Sequence, residues 1–300
     1  MNRVAQHPLH GFLGALAAVG VLSVMDAVMK ALVIALGIYA VSIWRSLFNL
    51  ALTSSLYLPR RGRWPDRFTL RLHIFRGVVV TVMAALFFWA IGRVPLAQAI
   101  ALTFIAPLIA MLLAAAFLHE RIGSRSLIGA VGAFAGVLVI VFGQSRAQVG
   151  GEVIFGSIAI LGSALCYAVN IVLMRRQSQA AEPIEINFFQ AITVAVLWLC
   201  LVPFAGFPDW PADWWPWVLA AAVMSTAGGL LFSWAYARAD ASYLAVTEYS
   251  GFLWAAALGW LVFGESVSLY TLAGAALIVG GCIIAARAKV KVPGEIEVAT

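Results

Sequence analysis

Ten mostly apolar runs, each about twenty residues long, follow one another along this 300-residue chain, and that succession constrains the fold more than any other feature. A helix rises 1.5 Å per residue, so roughly 20 apolar residues cross the hydrocarbon core of a bilayer. The runs lie near 11–30, 39–58, 74–91, 95–118, 126–143, 153–174, 183–205, 216–236, 242–263 and 269–286. Most connections are short, which makes consecutive helices antiparallel neighbours. Two are longer: the arginine-rich 59–73, and 206–215, whose tryptophans and prolines suit the headgroup level. Neither holds a soluble domain. Composition agrees, because 11% charged residues against 63% apolar ones leaves too little polar surface for water, where an average soluble domain carries ~25% charged residues. A soluble enzyme, a disordered chain and a nucleic-acid reader are poor readings, despite a net charge of +6.

The order of the charges explains that basic excess. With the N-terminus in the cytoplasm, the inner segments hold fourteen Lys and Arg, from Arg3 through the cluster Arg60–Arg71 to Lys291. The outer loops hold two, Arg93 and Arg146. The remaining three, Lys30, Arg45 and Arg76, lie within or near spans. The positive-inside rule then puts both termini in the cytoplasm. The first span leads into Asp26 and Lys30 rather than a small-residue cleavage site, so it reads as a retained span and not a signal peptide. Cys166, Cys200 and Cys282 all lie in apolar runs, and an odd count argues against a disulfide framework or a zinc site.

The two halves repeat. Phe87–Arg93 (FFWAIGR) recurs as Phe232–Arg238 (FSWAYAR), and Glu120, Gly129 and Gly136 recur as Glu265, Gly274 and Gly281, always 145 residues later. Thr81 with Thr226, Met29-Lys30 with Met174-Arg175 and Gly11 with Gly156 keep the same register. Five spans per half is an odd number, so the second half crosses the membrane in the opposite sense. The expected fold is therefore all-α, with ten transmembrane helices as two inverted five-helix repeats, 1–148 and 149–300, forming one unit. Inverted repeats are a recurring design of transporters that alternate between inward-open and outward-open shapes.

On these residues the chain resembles the EamA family of the drug/metabolite transporter superfamily. The matching signature is Pro107, the helix-ending Glu120 and the glycines of GAVGAFAG (Gly129–Gly136), repeated at Glu265, Gly274 and Gly281. The second repeat departs from it by carrying Phe252 where the first has Pro107, so no kink is assumed there. Within the family the chain is most similar to the YddG-type exporters of aromatic and other amino acids. The resemblance implies a multi-pass protein of the bacterial cytoplasmic membrane that moves small metabolites outward.

Ionisable and polar groups are costly in hydrocarbon, so those retained within spans are expected to face the bundle interior. The candidate substrate-binding set is Thr81, Tyr167, Asn170, Gln190, Thr226, Ser233, Trp234 and Tyr249. The candidate gating or coupling set is Asp26, Arg45, Arg76 and Glu248. By depth, Asp26 and Arg45 fall in the outer half and Arg76 and Glu248 in the inner half, so each pair is placed to hold a gate. The competing reading makes each charge a snorkelling or static one, and the aromatics lipid anchors. Trp89 and Trp234 occupy equivalent positions beside helix ends, which favours anchoring for both. The glycines read as helix-packing surfaces, and Glu120 and Glu265 as tethers of helix–loop junctions.

Catalysis has little support. The four histidines lack metal-ligand spacing, and the chain has no P-loop and no G-x-S-x-G elbow. No cofactor or metal is expected. The partners are a small-molecule substrate, an amino acid or similar metabolite, and the lipid bilayer, with no nucleic acid. The rival readings are a channel-like protein and a broad-specificity efflux protein.

Overall fold

The computed structural model describes residues 8–60, 64–106, 108–109, 124–146, 151–238, 247–248 and 250–286. All regular structure among them is helical. In chain order the helices are α1 (Pro8–Tyr57), α2 (Arg67–Ile91), α3 (Leu96–Thr103), α4 (Ser124–Arg146), α5 (Gly151–Ala180), α6 (Pro183–Leu199), the single turn α7 (Val202–Ala205), α8 (Trp215–Tyr236), α9 (Ser250–Phe263) and α10 (Leu269–Ala286). Pro107, Glu120 and Tyr249 lie outside the described residues.

Helix α1 is two spans. Its 50 residues break at Gly37, whose φ of 77° and ψ of 156° are open to glycine at little cost. The chain reverses there: Leu22 packs on Gly228 of α8, while Arg45 and Asn49 both reach Ser225, only three residues away on the same helix. The helix ends follow local chemistry. Asp66 caps α2 by accepting a hydrogen bond from Thr69 N at 2.8 Å, and the Thr69 side-chain and backbone donors hold its carboxyl below the usual carboxylate range. Pro183 and Pro216 sit in the first turns of α6 and α8, where a missing N–H costs nothing. The repeated FFWAIGR and FSWAYAR segments are helix-ending devices. Arg93 stacks at 4.0 Å on Trp89 and donates to its carbonyl at 2.9 Å; Arg238 does the same on Trp234 at 4.1 and 3.1 Å.

The halves are interleaved rather than side by side. α4 packs along α10, α3 against α9 and α1 against α6; α1 also packs along α8, as α2 does along α5. Exchanging the halves maps each of these pairs onto itself or onto another of them. The α4–α10 seam displays the inversion directly. A Cβ on Gly136 would lie 2.6 Å from Gly274 O, and one on Gly281 would collide with Gly129 O. Gly129 and Gly274 are repeat equivalents, as are Gly136 and Gly281. Equivalent helices therefore cross antiparallel with equivalent glycines in reciprocal contact, which a two-fold axis across the helices requires. Bulky apolar side chains such as Phe155, Leu253, Trp260 and Leu269 point outward, as suits a surface bathed in lipid. Where tails and side chains are equally apolar, helices are held together by close packing and hydrogen bonds.

Candidate functional site

The interleaving leaves a cavity of about 330 Å³ between the halves, within the size range of small-molecule sites. Its apolar wall includes Phe87, Phe88, Ile100, Phe104 and Phe232. Its polar wall draws on both halves: Ser23, Asp26, Arg45, Asn49 and Arg76 from the first, and Ser163, Tyr167, Asn170, Asn187, Gln190, Ser225, Thr226, Ser233, Tyr236 and Glu248 from the second. Gly229 makes room for one of these groups, because a Cβ there would overlap the Asn187 carboxamide.

All four residues of the candidate gating or coupling set line this one cavity, and they divide by how they are held. Arg76 is tethered, donating from Nε to Asn170 Oδ1 at 2.8 Å and from a terminal nitrogen to Gln177 Oε1 at 3.0 Å. Glu248 is tethered by the Tyr236 hydroxyl at 3.1 Å and by Tyr167. Arg45 is held by little. Its guanidinium lies 5.0 Å from the Phe88 ring centre, one terminal nitrogen reaches Ser225 Oγ at 3.4 Å, and its buried Nε has no hydrogen-bond partner. Asp26 accepts no hydrogen bond among the described residues, and it lies within the field of Arg45 without forming an ion pair to it. Ion pairs among the described residues join Lys30 to Glu265 and Arg93 to Glu152, while His73 Nε2 meets the Glu185 carboxylate as a hydrogen-bond partner. One cation and one carboxylate are thus fixed by the fold, and one of each faces the cavity uncommitted.

Of the expected binding residues, Tyr167, Asn170, Gln190, Thr226 and Ser233 line the cavity together with those charges. Thr81 and Trp234 do not. The Thr81 hydroxyl turns back onto its own helix and donates to Gly77 O at 2.8 Å. Trp234 leans outward beneath Arg238 and against Gly14, on the bundle's flank. Tyr249 lies outside the described residues. The duplicated fold carries unduplicated chemistry: Arg45 is answered in the second half by Gln190, and Tyr167 in the first by Leu22. Asn49, Ser225 and Tyr236 also line the site, although none belongs to the candidate binding set. Asn49 was signalled by sharing a helical face with Arg45; Ser225 and Tyr236 lie beside expected positions on α8 but carried no signal of their own.

Two further polar clusters flank the cavity at opposite ends of the bundle. At one end Lys30 pairs with Glu265 Oε1 and donates to Val94 O at 2.8 Å. Glu265 Oε2 accepts from Leu96 N at 2.8 Å, capping α3. At the other end Gln177, beyond the expected limit of its span, joins Arg76 to the buried His73, and His73 reaches Glu185 on α6. Among the described residues, no three His, Cys, Asp or Glu are grouped to hold a metal ion.

This architecture has known counterparts. The EamA-like transporter family matches the chain twice, over residues 9–142 and 154–287, the two stretches again 145 residues apart. The chain belongs to the EamA-like transporter family. It is accordingly a multi-pass inner-membrane transporter built from ten helices in two copies of one unit. Among similar proteins, the pseudopaline exporter of Pseudomonas aeruginosa is 28% identical, over 89% of this chain and 92% of its own. A riboflavin transporter of Vibrio cholerae is 26% identical over 92% of both chains. A protein crystal structure at 23% identity covers 94% of this EamA chain and 98% of its own with a TM-score of 0.59, which supports the fold.

Proposed function

We propose that this EamA transporter exports small amphipathic metabolites, aromatic and neutral amino acids foremost, by alternating access between its inverted halves. The observation that carries the reading is the uncommitted pair, Arg45 and Asp26, facing one cavity beside an aromatic wall. A zwitterion offers a carboxylate to the guanidinium and an ammonium to the carboxylate, which supplies the oppositely charged partner that neither group has among the described residues. Its side chain then rests on Phe87, Phe88 or Phe104. The similar proteins named for pseudopaline and riboflavin are transporters of small metabolites, which supports the general class.

In the proposed cycle the Lys30–Glu265–Leu96 cluster closes the outer end, and the cavity communicates with the cytoplasm. Movement of the halves opens that cluster and seals the inner end. Asp26 and Arg45 act in the outer half and Arg76 and Glu248 in the inner half, each changing partners as the substrate passes. Both termini are cytoplasmic in this cycle.

Competition for phenylalanine uptake into proteoliposomes tests the reading. Phenylalanine competes well in the wild type, whereas phenethylamine, which lacks the carboxylate, competes poorly. Arg45→Gln raises the phenylalanine KM about 10–100-fold, as expected for losing a charged hydrogen bond of about 1.5–3 kcal/mol, and leaves phenethylamine unaffected. Equal competition by both compounds in the wild type contradicts the assignment. A broad-specificity carrier is the second reading, favoured by the side-by-side phenylalanines, and it predicts that equal competition.

A further inference from the structure

We infer that His73 is a proton-binding site that governs whether Arg76 is free to receive a carboxylate in the cavity, with Gln177 as the positioning residue between them. The inference rests on the proposed carboxylate-bearing substrate, and it adds a coupling ion and its site.

The chain of hydrogen bonds has only one consistent assignment of protons. A guanidinium only donates, so the Gln177 atom that receives Arg76 at 3.0 Å is the carbonyl oxygen Oε1. That fixes the amide, and its Nε2 then faces His73 Nδ1 at 2.9 Å. An amide nitrogen also only donates, so Nδ1 accepts and carries no proton. The imidazole proton sits on Nε2, which donates to Glu185 Oε1 at 3.1 Å. Arg76 thereby sets the tautomer of a buried histidine two hydrogen bonds away.

Adding a proton to His73 breaks this chain at a defined place. Protonated Nδ1 confronts the Gln177 amide as donor against donor. If the amide rotates to present Oε1 to His73, its nitrogen turns to the Arg76 guanidinium, and donor again meets donor. If it swings away, Arg76 loses the same bond. A protonated His73 and an Arg76 held by Gln177 therefore exclude each other. Arg76 keeps its Nε contact to Asn170, while the end released by Gln177 becomes available to the cavity that Arg76 already lines. By linkage, a carboxylate that draws Arg76 away from Gln177 favours protonation of His73 to the same extent.

The surroundings are simple enough for the switch to be read. α5, α6, α1 and α3 pack against α2. The charged groups acting on His73 are Glu185 from α6 and Arg76 from α2 itself. α5 contributes the neutral Gln177. α6 also stacks Phe189 flat on the imidazole, with ring centres 5.0 Å apart, and α1 sets Tyr57 against Phe188 and Phe189. α3 adds no charge to those acting on the ring. The His73 side chain is itself fully buried, whereas Glu185 is partly exposed, so the bulk-water proton enters by way of α6.

The test uses the full chain, labelled with 15N-histidine, in lipid nanodiscs and in matched proteoliposomes. In the wild type, neutral His73 shows an unprotonated Nδ1. The KM for phenylalanine counterflow falls about tenfold as pH drops through the His73 titration, with kcat unchanged. His73→Asn removes this pH dependence. Gln177→Leu frees Arg76 permanently, giving a low KM at every pH, a gain that a merely structural glutamine would not produce. Three results each overturn the inference: neutral His73 carrying its proton on Nδ1, a wild-type pH profile surviving in His73→Asn, or a raised KM in Gln177→Leu. If phenylalanine is not carried at any pH, the amino-acid reading fails separately, and the spectra still decide. An unprotonated Nδ1 whose titration midpoint is displaced by Gln177→Leu supports the switch, and an identical midpoint overturns it.

Discussion

Lys30 of the first half pairs with Glu265 of the second, 235 residues away in sequence, and the same carboxylate caps the first turn of α3 through Leu96 N. One side chain thus ties together the first span, the α2–α3 connection and the α9–α10 connection. Removing either partner leaves the other charge uncompensated in a largely buried setting. Lys30→Met and Glu265→Gln are each expected to destabilise the protein, at the lower end of the roughly 3–5 kcal/mol typical of a broken buried pair, because Glu265 keeps 18% side-chain exposure. The double variant is expected to lose clearly less than the sum of the two. Unfolding in detergent across the four proteins measures this coupling, and strict additivity contradicts the tie.

The glycine seam makes a position-specific prediction. Gly136→Ala places a methyl group 2.6 Å from Gly274 O, a backbone atom that cannot rotate away, whereas the nearest atom to a Cβ on Gly132 is Gly281 Cα at 3.9 Å. Gly136→Ala is expected to cost about 1–3 kcal/mol, as overpacking does, while Gly132→Ala is near neutral. Thermal unfolding of the two variants side by side checks this, and equal midpoints contradict the crossing.

Orientation is testable at a native cysteine. Cys200 is exposed at the end of α6, which the charge asymmetry assigns to the outer face. In a variant retaining only this cysteine, a membrane-impermeant maleimide is expected to label intact spheroplasts fully. Labelling only after permeabilisation reverses the topology.

The ten spans and their inversion were legible because both rest on long periodic signals, apolar runs and a constant repeat spacing, that no single residue can spoil. The ionisable residues were legible for a related reason: Asp26, Arg45, Arg76 and Glu248 are so out of place in hydrocarbon that an interior cavity is their natural setting. What escaped was local. Thr81 shares its repeat position with Thr226, yet its hydroxyl is satisfied by Gly77 O of its own helix, a choice that periodicity does not encode. Trp234 carried two expectations, a binding role and, with Trp89, a place beside a helix end; it lies under Arg238 as Trp89 lies under Arg93, and it does not line the cavity. The apolar signal of the sixth span stops at 174, but α5 continues to Ala180. Those extra turns carry Gln177 to Arg76 and His73.

The proposed function makes this EamA protein an alternating-access carrier of amino-acid-like zwitterions. Counterflow of labelled phenylalanine into proteoliposomes containing this protein alone tests it most directly. Uptake is expected to be saturable and to be accelerated by unlabelled phenylalanine preloaded inside. Flux that rises linearly with concentration and ignores the preloaded amino acid would contradict it.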